Sequence, residues 1–196
     1  MKELLNKMLY GSSGQGASSN GFQVLTIQPH PQDDNLFFIV PSGAPKDAPL
    51  YTIYKRPSSS SFVMHRGQPA PHNIVAMATM HLSTSTIDLS VHNQPMVIKN
   101  SSMTGSWSFQ THMGKFKWKV NQLTGTGFEL YDQMGNRVAK YGSAGLTRFT
   151  EKQMSIYVPG DEFFTIMVVL SAVSSKALAK IIDEVVGEVA GAVMGA

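Results

Sequence analysis

The stretch that decides the fold is Pro159-Gly160-Asp161-Glu162 followed by F-F-T-I-M-V-V-L-S-A-V, residues Phe163 to Val173. Only Thr165 and Ser171 are polar among these eleven residues, so a helix here has no wet face for about three turns. An element that is apolar all round is buried either in protein or in lipid. Asp161 and Glu162 stand where a helix start favours negative charge. The pattern carries the helix on to about Val186, with Lys176 and Lys180 one turn apart and Asp183 and Glu184 beyond them. A membrane span needs about 20 predominantly apolar residues. The clean run here is 11, and lengthening it to a span takes in two lysines. Burial inside protein is therefore expected, and the rest of the chain must supply the wall.

Upstream, short runs of β-branched and aromatic residues recur between turn residues. They cover residues 22–28, 36–40, 50–56, 61–66, 73–82, 86–91, 95–99, 106–112, 115–121, 127–131, 137–141 and 153–158. The clearest reads K-F-K-W-K-V, where Lys115, Lys117 and Lys119 take one face and Phe116, Trp118 and Val120 the other. That alternation predicts a half-buried antiparallel strand with a basic wet side. Residues 127–131 and 137–141 flank Asp132-Gln133-Met134-Gly135-Asn136 and form a predicted hairpin. About twelve strands and one helix without a wet face predict a mainly β fold. The expected architecture is a closed antiparallel barrel of about twelve strands around a buried hydrophobic C-terminal helix.

Length and composition agree with this. A chain of 196 residues suits one domain. Its charged fraction is 15%, low against roughly 25% for average proteins, and favours a β-rich fold. The expected organisation is an N-terminal helix or tail with a Gly/Ser linker over 1–21, the barrel over 22–186, and a tail over 187–196. A formal net charge of +3 falls well short of a nucleic-acid footprint, so no nucleic-acid partner is expected. With no cysteine in the chain, disulfides, thiolate metal sites and a cysteine nucleophile are excluded. The first ten residues lack the apolar core and cleavage site of a signal peptide, so a cytoplasmic location, peripheral to membrane, is the expectation.

The order of features resembles the tubby C-terminal-like superfamily, in particular its LURP-one-related branch, its phospholipid scramblase-like barrels and its fungal relatives. The matching pieces are Tyr51-Thr52-Ile53-Tyr54, the F-K-W-K strand, E-L-Y-D-Q-M-G-N-R-V-A-K-Y from Glu129 to Tyr141, and M-S-I-Y-V-P-G-D-E-F-F from Met154 to Phe164. Together with the terminal helix they cover about two-thirds of the chain. The resemblance implies a twelve-stranded barrel wrapped around a hydrophobic helix. It also implies a surface that binds phosphoinositide through paired basic residues. Here the candidates are Lys115, Lys117 and Lys119, with Arg137 and Lys140 on neighbouring strands. Between Lys115 and Lys152 there are seven basic and three acidic residues, and clustered lysines attract anionic head groups. The same alternation also serves simply to solvate an outer strand face or blunt an edge. Scrambling is not expected, because the cysteine-rich segment of scramblases has no counterpart in this chain.

Other constellations are weaker. Six histidines occur, none at metal-ligand spacing; the P-H-P-Q-D-D loop, with His30, Asp33 and Asp34, is the least implausible cluster. No phosphate loop, nucleophile elbow or dinucleotide fingerprint is present, and no metal or cofactor is expected. Twelve methionines fill cores or line adaptable apolar pockets. Gly187, Gly191 and Gly195, at four-residue spacing, would let helices approach closely in self-association. Two functions follow as expectations. One is a non-enzymatic binding module touching anionic membrane lipid through the basic strand face, with no membrane span. The other is an enzyme of cyclase type, as in fungal secondary metabolism, or a carrier, holding an apolar small molecule in a barrel pocket.

Overall fold

The computed structural model describes residues 23–45, 48–120, 127–143 and 151–194, with side chains described as far as residue 185. The N-terminal segment and linker over 1–21 lie outside the described residues, as does Gly195. Twelve strands form: β1 (Gln23–His30), β2 (Asp33–Pro41), β3 (Tyr51–Arg56), β4 (Ser61–Arg66), β5 (Ile74–His81) and β6 (Thr86–Val91). They continue as β7 (Gln94–Ser101), β8 (Ser106–Thr111), β9 (Gly114–Val120), β10 (Phe128–Tyr131), β11 (Arg137–Ser143) and β12 (Lys152–Ile156). Each strand pairs with its sequence neighbours, and β12 pairs back on β1, so the antiparallel sheet closes into a barrel. Closure leaves no free edge among the twelve strands.

Among the described residues one α-helix, α1 (Glu162–Met194), threads this barrel. Asp161 caps its start, its Oδ1 accepting the backbone N–H of Phe164 at 2.8 Å. The residues from Phe163 to Ala172 are all buried, as a run without a wet face requires. By length and composition α1 could cross a bilayer, yet most of its apolar stretch is buried inside the barrel. The two polar residues of the run are satisfied within the protein. Thr165 Oγ1 donates to the backbone carbonyl of Asp161 at 3.2 Å, and Ser171 Oγ donates to that of Val168 at 3.1 Å.

The helix continues to Met194, eight residues beyond the expected end near Val186. Its 33 residues make a rod about 50 Å long, whereas strands of six to eight residues reach roughly 20–26 Å. The second half of α1 therefore runs out of the barrel. Leu178 is still buried at 1% exposure, while Lys180, Asp183, Glu184 and Val185 are exposed.

The alternation read from the sequence holds in the wall. Trp107 and Trp118 are register partners on β8 and β9, and both are buried against the helix side of the sheet. Leu130 follows beside Trp118 on β10 and Ala139 beside Leu130 on β11, both at 0% exposure. Val120, expected inside with Phe116 and Trp118, sits at the barrel rim and is 38% exposed.

Candidate functional site: a lysine-rimmed pocket where the helix leaves the barrel

The barrel has two different ends. At the end where α1 enters, Glu162 in the first helical turn faces a polar group assembled from the paired ends of β3 and β4 and from the β6–β7 turn. Arg66 Nε, at the end of β4, donates to Glu162 Oε1 at 2.8 Å, and its second guanidinium nitrogen donates to Oε2. Tyr51 at the start of β3 donates its hydroxyl to Oε1 at 3.2 Å. His92 Nε2 lies 3.8 Å from Oε2. It is brought there by the two-residue turn between β6 and β7, in which His92 and Asn93 both take positive φ. The Arg66 hydrogen bonds and charge hold the Glu162 carboxyl below its ordinary range. Burial, with Glu162 beside it, pushes the Tyr51 phenol up to about 12. This group secures the helix entry, a role beyond the capping inferred for Asp161 and Glu162 from sequence.

At the exit end the helix does not fill the barrel. It packs closest to β4, β5 and β6, and a cavity of about 640 Å³ opens beside it, walled by β1 to β5 with β11 and β12. Its floor is apolar, with Ile27 and Pro29 of β1, Phe37 of β2, Phe62 of β4 and Met80 of β5. Tyr141 of β11 adds a phenol pushed up to about 12 by burial. Val173, Ala177 and Ile181 supply the helix side. The rim carries Lys55, Lys152, Lys176 and Lys180, with Asp183 and Glu184 on the outer helix.

Two of these lysines occupy positions of inward parity. Tyr51 and Ile53 of β3 are core residues, so Lys55, two residues on, follows the same face and pairs in register with the core residue Phe62. Met154 and Ile156 of β12 are likewise core, so Lys152 takes the inner side at the strand start, with Ile27 as its register partner on β1. Its Nζ donates to Ser143 Oγ at 3.2 Å. Lys176 rises from the helix into the same mouth, half-buried, with its ammonium 5.2 Å from the centre of the Phe128 ring. Lys180 pairs with Glu184 one turn on, at 3.6 Å.

The residues singled out from sequence lie on the outer wall. Lys115, Lys117 and Lys119 alternate with the buried Phe116 and Trp118 along β9 as expected. Register brings Glu129 beside Lys119, and Lys140 beside Glu129 on the far side. Arg137 Nη1 is 3.1 Å from Glu129 Oε1, and its guanidinium stacks over Tyr157 at 4.9 Å. Tyr131 donates its hydroxyl to Glu129 Oε2 at 2.8 Å, and Lys119 Nζ sits 4.5 Å over the Tyr131 ring. Arg137 and Lys119 are thus engaged around one carboxylate and its tyrosine, while Lys115 and Lys117 carry the open part of the stripe. A second, shallower groove of about 500 Å³ on the outside of β3–β5 is lined by Tyr54, Arg56, His65, Pro69, Pro71 and Ile74.

The loop with His30, Asp33 and Asp34 is a tight hairpin. Gln32 N–H donates to His30 Nδ1 at 3.1 Å and Asn35 N–H to Asp33 Oδ1 at 2.9 Å, so both side chains close the turn on itself. Among the described residues no group of three or more His, Asp or Glu side chains is placed to hold a metal ion.

Fold and site together define a mainly β protein, a closed twelve-stranded antiparallel barrel with one helix running through it. No protein-family model and no curated protein matches the chain. Among solved structures, an X-ray structure of an Arabidopsis thaliana protein is similar at 13% sequence identity, covering 79% of this chain and 92% of that one, with a TM-score of 0.34. A likeness that slight supports no conclusion about function.

Proposed function

We propose that this chain is a binding module of the tubby-like barrel type that holds an apolar small molecule in the pocket between α1 and the β1–β2 side of the barrel. The observation that carries the reading is the apolar cavity of about 640 Å³ at the helix exit, within the usual range for small-molecule sites. Binding is favoured over proton-transfer catalysis by the lining. Tyr141, held near 12 by burial, is a poor acid or base at neutral pH, and the remaining floor is hydrocarbon. The test is uptake of an environment-sensitive apolar dye by the full chain, with native mass spectrometry for a retained ligand. Saturable uptake that disappears in a folded Ala177→Trp variant, whose indole occupies the cavity, is the expected result. A folded wild-type chain that takes up no dye and retains no ligand would sink the reading.

The basic outer strand supports a second reading, contact with anionic membrane lipid. Its support is the common outward face of Lys115, Lys117 and Lys119 on β9, with Arg137 and Lys140 two strands away. Its test is salt-sensitive binding to acidic vesicles.

A further inference from the structure

The pocket mouth departs from the rule that governs the rest of the barrel. Inward positions of the wall are apolar along most of each strand, yet Lys55 and Lys152 hold inward parity at the exit end. A third ammonium, Lys176, stands half-buried on the helix facing them. Among the described residues neither Lys55 nor Lys176 has a carboxylate partner: Asp183 and Glu184 lie about two turns beyond Lys176 on α1, and Glu184 pairs with Lys180. Lys55 is exposed and Lys176 half-buried, so both ammonium groups keep their charge in water and set a positive potential over the apolar floor. A ligand that brings an anion to the mouth and hydrocarbon to the floor satisfies both halves of the site.

Resting on the pocket reading above, we propose that the ligand is a single-chain anionic amphiphile. Its hydrocarbon chain lies along Ile27, Phe37, Phe62 and Tyr141. Its carboxylate or phosphate head sits among Lys55, Lys152 and Lys176. A neutral alcohol of the same chain fills the floor but leaves Lys55 and Lys176 uncompensated, and a cationic head meets repulsion. Of the two helix carboxylates at the same rim, Glu184 is paired with Lys180, and Asp183 stands against Lys55, Lys152 and Lys176, so the mouth keeps a net positive charge.

The experiment is dye displacement on the full chain by four probes of equal chain length, each below its micellar concentration: dodecanoate, dodecyl phosphate, 1-dodecanol and dodecyltrimethylammonium. Both anions are expected to bind more tightly than the alcohol, and the alcohol more tightly than the cation. Lys176→Gln is expected to weaken the anions roughly fivefold to tenfold and to leave 1-dodecanol unchanged. Should that variant fold poorly, the Lys55→Gln/Lys152→Gln pair at the strand ends serves the same purpose. Lys115→Ser/Lys117→Ser on the outer wall should bind the anions as the wild type does. Preference for dodecyl phosphate over dodecanoate, or the reverse, assigns the head group. Alcohol binding as tight as that of the anions overturns the anionic proposal and leaves the pocket reading standing. Failure of all four probes on a folded chain overturns both.

Discussion

The indole of Trp118 donates its Nε1–H to Ser171 Oγ at 3.0 Å, across 53 residues of sequence, and both residues are fully buried. One end of this bond belongs to the strand with the clearest alternation and the other to the helix that has no wet face. It ties β9 to the third turn of α1. Because Ser171 Oγ also bonds the Val168 carbonyl, the hydroxyl is used as donor and acceptor at once.

Ser171→Ala should therefore leave the Trp118 N–H buried without a partner, at a cost of about 1–3 kcal/mol. Urea denaturation measures the loss, and the emission of Trp118 should shift with it. An unchanged midpoint would mean that the bond does not hold the helix to the wall.

Gly160 sits just before the helix, where an added Cβ would come within 2.5 Å of Phe164 Cδ1. Phe164 is 5% exposed and packs near Phe116, so it has little room to yield. Gly160→Ala should destabilise by about 1–3 kcal/mol through overpacking. In a Phe164→Leu background that cost should shrink, which a double-mutant cycle by thermal unfolding would reveal.

Two acid-side losses of stability should be separable by pH. Burial, helped by the positive charge of Arg56, lowers His65 from its ordinary 6.5. The folded protein thus favours neutral His65. The stability it contributes is complete above pH 6.5 and is lost as pH falls through the lower folded value. Glu162, lowered from 4.5 chiefly by Arg66, contributes stability that is complete above pH 4.5 and declines below it. His65→Gln should flatten the thermal midpoint between pH 7 and the folded value of His65, and Glu162→Gln should flatten the limb below pH 4.5. Profiles of either variant that run parallel to the wild type would contradict the assignment.

If the outer stripe meets a membrane, Lys115→Ser/Lys117→Ser should weaken binding to vesicles rich in acidic lipid by roughly fivefold per lysine. Added salt should weaken the wild type in the same direction. Arg137→Ser should matter less for binding, since its guanidinium is engaged by Glu129 and Tyr157. Vesicle sedimentation at two salt concentrations decides it, and indifference to both lysines would end this role for β9.

The outer face of β9 was legible in the sequence because side-chain direction along a strand follows from spacing alone. Glu129 among the cations was not, since its place beside Lys119 depends on the register between β9 and β10. Lys55 and Lys152 were invisible as site residues for the same reason. Each reads as an ordinary polar strand end, and they stand far apart in the chain. Their common mouth exists because β1 and β2 lie between β12 and β3 in the closed sheet. Lys176 was visible as a charge on the helix, but not as a charge at the depth where the barrel ends. The partners of Glu162 were hidden likewise, since Tyr51, Arg66 and His92 come from three different strand ends.

The sequence by itself determined the elements and their faces. Eleven residues with two polar groups require a buried helix, and period-two alternation in the clearest strands gives them an inside and an outside. These are local consequences of backbone geometry and of the low solubility of hydrocarbon in water. Closure of β12 onto β1, the lean of α1 towards β4–β6 and the cavity left beside it were decided only by the tertiary structure. They depend on how strand registers and side-chain volumes add up around the whole barrel, and no local pattern carries that sum.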